Sequence, residues 1–267
     1  MTSSSEVPVR VLIINPNTSQ HMTDALKPVI DALGFENVQY TFFTSPTPGI
    51  PSINSPDDAA ESATVCLPAL VPMLPMHDVF LIACYSQHPL VPQLKKECDA
   101  LQREATKGAG GAGARKYVTG IFEASVLSSL ALTGSQPNEG FGIVSTGKIW
   151  ETALREAVHE MFGVSDSKRF VGCQTTGLNA SELHELPAEK VRGKMMEATK
   201  NLLRDGKKAG SEVQAICLGC AGMVGLEEAV RTACVEELGE DASKTVSIVD
   251  GVKAGVGALI TLARGGF

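Results

Sequence analysis

Two cysteines in this chain stand where a buried strand gives way to small or polar residues. Val79-Phe-Leu-Ile-Ala-Cys84 runs into Tyr-Ser-Gln-His-Pro89, and Val213-Gln-Ala-Ile-Cys-Leu-Gly-Cys220 runs into Ala-Gly-Met223. Strand ends are where open α/β sheets collect their chemistry. Two thiols facing each other across a substrate suit one reaction in particular. A thiolate removes a proton from a stereocentre, a thiol returns one from the opposite face, and the roles exchange with the enantiomer bound. Free cysteine titrates near ~8.5, and helix N-termini beside strand ends lower that value, toward the range where a general base works best. The polar turns Asn15–Ser19 and Ser145–Thr146 would donate hydrogen bonds to the oxygen of a planar enolate. No metal and no cofactor is expected, provided the substrate C–H is already acidic.

The elements that would position these thiols follow from hydrophobic patterning. Val9–Ile14 is a β-branched strand run that stops at Asn15-Pro16-Asn17-Thr18-Ser19, and Met22–Leu33 is a helical pattern. Val38–Thr44 reads as a second strand, followed by a long Pro-rich loop through Pro56 and a helix over Asp57–Met73. After the Cys84 strand come a helix from Pro89 to about Arg103, a Gly-rich loop over Ala105–Arg115, a strand at Tyr117–Ile121 and a helix at Glu123–Leu132. The loop glycines, Gly108–Gly113, lack the preceding strand that a phosphate-binding loop needs. The second half repeats the pattern: strands at Gly140–Val144, Phe170–Gln174, Val213–Leu218 and Thr245–Val249, with helices through Met161, over Pro187–Gly206 and over Asp250–Ala263.

Landmarks in the two halves keep nearly constant spacing. Asn15 and Ser145 are 130 residues apart, Val38 and Phe170 are 132, Cys84 and Cys220 are 136, and Gly120 and Asp250 are 130. Such spacing predicts an internal duplication. The expected fold is α/β with two pseudosymmetric domains, each a small, mainly parallel four-stranded sheet flanked by helices, and an active site in the cleft between them. The first domain would cover residues 1–122, with the C-terminal helix 251–267 packing back on it, and the second residues 123–250. Pseudo-twofold symmetry would then put Cys84 and Cys220 on opposite walls of one pocket.

Composition narrows the function classes. With 267 residues, 43% hydrophobic and 20% charged, the chain can bury one large core or two small ones. A net charge of -7 argues against a nucleic-acid partner. No apolar run of about 18 residues is read from the sequence, so no membrane association is expected. Residues 1–8 read as a disordered polar tail without an apolar signal core, which points to a cytoplasmic protein. Seven cysteines form no regular framework, and Cys66, Cys98, Cys173 and Cys234 read as buried packing thiols. Cys217 and Cys220 make a formal Cys-x-x-Cys, but Cys217 lies inside the apolar run, against a redox reading. A zinc site lacks a second ligand pair. Among five histidines, His88 is expected to line the pocket and His21 to start a solvated helix, while Trp150, Met195 and Met196 read as packing residues.

Val11-Leu-Ile-Ile-Asn-Pro-Asn-Thr-Ser19 with Met22-Thr23, Ile82-Ala-Cys84, Leu218-Gly-Cys-Ala-Gly-Met223 and Ile248-Val-Asp-Gly-Val252 together resemble the hydantoin racemase family of the aspartate/glutamate racemase superfamily. The resemblance covers nearly the whole chain. It implies a cofactor-independent racemase with Cys84 and Cys220 as the catalytic acid/base pair. It also implies substrate contacts from Asn15, Ser145, Thr146 and the Ala221–Gly222 backbone, to which Tyr85 and Ser86 beside the first cysteine are added. Bacterial hydantoin racemases typically read Phe-Gly-Asp-Pro-Gly after that cysteine; Tyr85-Ser-Gln-His-Pro89 here is similar to fungal relatives linked to allantoin use.

The expected pocket loops carry almost no Lys or Arg, which the second carboxylate of aspartate or glutamate would require. A neutral cyclic substrate is favoured: a 5-substituted hydantoin, with allantoin leading because Gln87 and His88 could bind its ureido group. That implies a homo-oligomeric enzyme of purine catabolism and nitrogen metabolism acting on a small molecule. Two alternatives stay open, a single-cysteine decarboxylase of the same superfamily and a non-catalytic small-ligand binding protein.

Overall fold

The computed structural model describes residues 7–109 and 115–267. The first half runs β1 (Val9–Asn15), α1 (Gln20–Asp31), β2 (Val38–Thr44), α2 (Pro56–Leu70), a 3-10 segment (Val71–Met76), β3 (Val79–Ile82), α3 (Leu90–Ala109), β4 (Tyr117–Gly120) and α4 (Ile121–Leu132). The second runs β5 (Glu139–Ser145), α5 (Ile149–Phe162), β6 (Phe170–Thr175), α6 (Glu182–Glu185), α7 (Ala188–Lys208) and β7 (Glu212–Gly219). It continues with a 3-10 turn (Ala221–Met223), α8 (Glu227–Leu238), α9 (Glu240–Ser243), β8 (Ser247–Asp250) and α10 (Gly251–Gly265).

Each half forms one four-stranded parallel sheet, in the order β2-β1-β3-β4 and β6-β5-β7-β8. Renumbering one sheet gives the other, so the duplication expected from spacing is present in the topology. Parallel strands covered on both faces need continuous apolar runs, and β3 supplies one: Val79, Phe80, Leu81 and Ile82 are all fully buried.

The helices after the edge strands cross between halves. α4 leaves β4 of the first sheet and packs on β7 and β8 of the second; α10 leaves β8 and packs on β3 and β4 of the first. Their starts meet where Gly251 lies against the Ile121 carbonyl, and a Cβ at Gly251 would stand 2.7 Å from that oxygen. One apolar core therefore runs through both sheets, joining Val11, Ile13 and Leu81 to Phe122, Phe141, Ile143 and Cys217. Separate cores fill the outer face of each sheet, under α2 and α3 in the first half and under α7 and α8 in the second.

Three expectations need correction. The helix after Cys84 runs on through Ala109, because the alanines and lysine ahead of the densest glycines still sustain helical backbone; residues 1–6 of the expected tail and 110–114 of the expected loop lie outside the described residues. The helix read as Asp57–Met73 becomes 3-10 from Val71, where Pro72 lacks the N–H that would continue the α-helical ladder. Pro56–Met76 as a unit is long and apolar enough by composition alone to cross a bilayer. In this fold its Ala63, Cys66, Leu70 and Leu74 face the core under the first sheet.

Candidate active site

Cys84 and Cys220 occupy equivalent places, just beyond the central strands β3 and β7. The Ala83 N–H still bonds the Ile14 carbonyl at 2.8 Å, and then the chain turns through Ser86 and His88. Cys220 follows Gly219 and caps the 3-10 turn, its Sγ accepting from the Gly222 N–H at 3.3 Å. Both cysteines line one cavity between the halves, with Asn17, Thr146 and Trp150 on its walls. Trp150 is thus a packing residue, as its pattern suggested, and a cavity wall as well. Gly219 lets β7 come this close: a Cβ there would sit 2.8 Å from both the Ser145 Cβ and the Val144 carbonyl.

The first polar turn is held by its own amides. The Asn15 Nδ2 donates to Asn17 Oδ1, the Ser19 carbonyl and Thr23 Oγ1, each at 3.0 Å, and its Oδ1 accepts from the Asn17 N–H at 3.3 Å. Asn15 is buried and fully engaged, so it builds the turn. Asn17 has its Oδ1 fixed by Asn15 and by the Ser19 N–H at 2.9 Å. Its Nδ2 meets only the Met22 sulfur, at 3.4 Å, a weak acceptor. Asn17, a residue the sequence reading did not single out, thus lines the cavity with an amide donor that no strong acceptor engages.

The remaining expected contacts divide. Thr146 lines the cavity, as does Ala221, while Gly222 lies in an adjoining compartment. Ser145 donates its hydroxyl to the Gly219 carbonyl at 2.8 Å, tying β5 to β7 at the site. The Tyr85 ring reaches the cavity, but its hydroxyl is 2.7 Å from Ser125 Oγ on α4 and its edge packs on Phe122. Ser86 Oγ lies 3.6 Å from the Cys84 sulfur. Cys217 is enclosed in the shared core, its sulfur 3.0 Å from Ser129 Oγ. Among the described residues, no group of three or more His, Cys, Asp or Glu side chains is placed to hold a metal ion.

The thiols depart from the lowered values expected of strand ends. Burial pushes Cys84 up to about 12, with the Ser86 hydroxyl opposing and Cys220 and Glu123 adding to the rise. Burial likewise pushes Cys220 up to about 11, opposed by the Gly222 N–H. One hydrogen bond at each sulfur does not outweigh desolvation, and among the described residues no Lys or Arg lines the cavity.

His88 also departs from expectation. It is buried under α3, its Nδ1 accepting from the Leu90 N–H at 3.2 Å and its Nε2 3.1 Å from Ser62 Oγ. Burial lowers its pKa from 6.5 to about 4. The unfolded ring takes a proton near 6.5, and the folded ring does so only near 4. Its stabilising effect is thus complete above that window and lost as pH falls through it, at about 1.4 kcal/mol per unit and roughly 3 kcal/mol in all. Urea melts from neutral pH down to about pH 4 should show this slope, and His88→Gln should flatten it.

The histidine that does reach the site is His184 on α6. It lines the compartment next to Cys220 and meets His21 of α1 edge to face, with ring centroids 5.4 Å apart. Four residues of helix carry no periodicity, so only the duplication could have indicated it: the β6–α7 segment is the counterpart of the Pro-rich β2–α2 loop. The two segments meet across the cleft, where Asn54 Oδ1 accepts from the Ala180 N–H at 3.3 Å.

The comparisons with known proteins agree with this architecture. An uncharacterised protein of Schizosaccharomyces pombe is 34% identical over 256 residues, 96% of this chain and 92% of its own length. Protein DCG1 of Saccharomyces cerevisiae is 26% identical, covering 96% of both chains. Among solved structures, the allantoin racemase of Klebsiella pneumoniae superposes with a TM-score of 0.72 at 24% identity, over 97% of this chain and 89% of that one. The allantoin racemase of Pseudomonas fluorescens gives 0.71 at 22% identity, over 97% and 92%. At these identities the structures speak to the fold. The family model described as Asp/Glu/Hydantoin racemase matches residues 11–259, and the chain belongs to that family.

Proposed function

We propose that this protein is a cofactor-independent racemase of 5-substituted hydantoins, with allantoin the leading substrate. The observation that carries the reading is the pair Cys84 and Cys220, at equivalent strand ends of two duplicated sheets, on one cavity. A thiolate takes the C5 proton, and the C–H electron pair moves into the adjacent carbonyl as an enolate. The opposite thiol then protonates C5 from the far face. The thiolate has changed sides, nothing is oxidised, and no covalent bond to the enzyme forms. The Asn17 amide on the cavity wall, its oxygen held by Asn15 and the Ser19 N–H, supplies an NH2 donor for the enolate oxygen.

Two further observations support a neutral hydantoin. Among the described residues, neither compartment of the cleft is lined by Lys or Arg, so a second substrate carboxylate would find no ion-pair partner there. Both fold relatives above are described as allantoin racemases.

The test is polarimetry on single enantiomers of allantoin and other 5-substituted hydantoins, repeated in deuterated water. Rotation is expected to decay well above the spontaneous rate, with deuterium entering at C5. Persistent rotation across the panel overturns the reading. Tight binding without decay then indicates a binding protein, and carbon dioxide released from a disubstituted malonate indicates a decarboxylase.

A further inference from the structure

We propose that His184 is the specificity-determining residue for the group carried on C5, and that it selects substituents able to both donate and accept a hydrogen bond, such as a ureido group. The inference rests on the hydantoin reading above.

The cleft has two compartments that share Met22, Ala83 and Ala221 as walls. The first holds both sulfurs; the second is bounded by His184, Ala25, Leu26 and Gly222. A ring with C5 between the thiols must send its substituent out of the first compartment. Gly222 stands beside the junction. A Cβ built on it would stand 3.0 Å from His184 Nε2 and 3.6 Å from the Cys220 sulfur, so the imidazole nitrogen and the sulfur flank the same stretch of backbone, and glycine leaves both uncovered.

The other walls of the second compartment offer little polarity. Met22, Ala25, Leu26 and Ala83 are apolar, and the Asn15 amide is spent inside its own turn. The ring nitrogens of His184 make no hydrogen bond to another described residue, and His21, edge-on at 85°, fixes the ring plane. Burial and the neighbouring His21 lower the His184 pKa, which keeps the imidazole neutral, with one donor and one acceptor nitrogen. The outer side of His184 is exposed, so a polar substituent keeps contact with water at the mouth of the cleft. Sites that hydrogen-bond a substrate group discriminate strongly against analogues lacking it.

The experiment compares allantoin with 5-methylhydantoin, for racemisation and for calorimetric affinity, in the parent protein and in His184→Ala and His184→Gln. His184→Ala is expected to lower kcat/KM and affinity for allantoin about 30-fold and to change 5-methylhydantoin less than about threefold. His184→Gln, which keeps a donor and an acceptor, should recover part of the loss. Gly222→Ala, whose methyl would stand 3.0 Å from His184 Nε2 and crowd it, should also lower the allantoin to methylhydantoin ratio. An unchanged allantoin to methylhydantoin ratio in His184→Ala overturns the inference while leaving the racemase reading intact. A parent protein that binds both hydantoins without racemising either overturns that reading, and the affinity ratio still decides the role of His184. A parent protein that binds neither overturns both.

Discussion

Replacing Cys84 with serine is expected to lower racemisation by about 10²- to 10⁴-fold, and replacing Cys220 to do the same. Each direction of a two-base reaction needs one group to take the proton and another to return it. Loss of either thiol therefore stops racemisation in both directions, and exchange of the C5 proton for deuterium should be confined to the enantiomer that faces the remaining thiol. Serine keeps the size of the side chain, while its hydroxyl is a far weaker acid. The substitution thus tests proton transfer with little disturbance of packing. Cys217→Ala provides the control. That sulfur is enclosed between β7 and α4, bonded to Ser129 and away from the cavity, so this variant is expected to lose some stability and keep its activity per folded molecule. Rates are read by polarimetry, with folded fraction measured alongside. Full racemisation in either the Cys84 or the Cys220 variant would sink the two-thiol reading.

Much of this fold is legible in the chain because its signals are local and occur twice. The β-branched runs at Val9 and Val79 and the apolar run at Val213 announce buried parallel strands, and repeated spacing identifies the two sheets before any contact is known. The helix α8 escaped notice because its buried face is built of Ala229, Val230, Ala233 and Cys234 among glutamates, with little apolar contrast to read. Site details were lost where they depend on enclosure. Asn15 and Asn17 are the same residue type two positions apart, and only the folded turn shows which amide is spent inside and which faces the cavity. His88 leaves its expected place, and His184, for which the sequence offers no reading, stands in the cleft, for a similar reason: one is drawn under α3 by Ser62 and Leu90, and the other is carried to the cleft by a segment without pattern. The thiol acidities could not be read locally either, since strand-end position lowers them and burial raises them, and burial is a property of the whole fold.

That last reversal carries a large kinetic consequence. The value of kcat/KM is expected to climb about tenfold per pH unit from about pH 6 to about pH 9, because it reports the ionisation of the free enzyme. With Cys84 pushed up to about 12 and Cys220 up to about 11, both thiols are protonated at neutral pH. The reactive form has lost one proton from the pair, and its population grows as pH rises. The charge of Cys220 is part of what raises Cys84, so the two titrate as a coupled pair. The first ionisation creates the base, and the second, at still higher pH, removes the acid, giving a bell whose ascending limb spans the accessible range. Ser86→Ala should leave that limb nearly in place, because Cys220 ionises first, and should raise the second ionisation, since the Ser86 hydroxyl is the group that pulls the Cys84 pKa down. The spontaneous racemisation of the hydantoin also rises with pH and must be subtracted at each point. A profile already flat below about pH 8 would show that the free enzyme holds a thiolate despite its burial, and that the site carries a source of anion stabilisation beyond Ser86 and the Gly222 N–H.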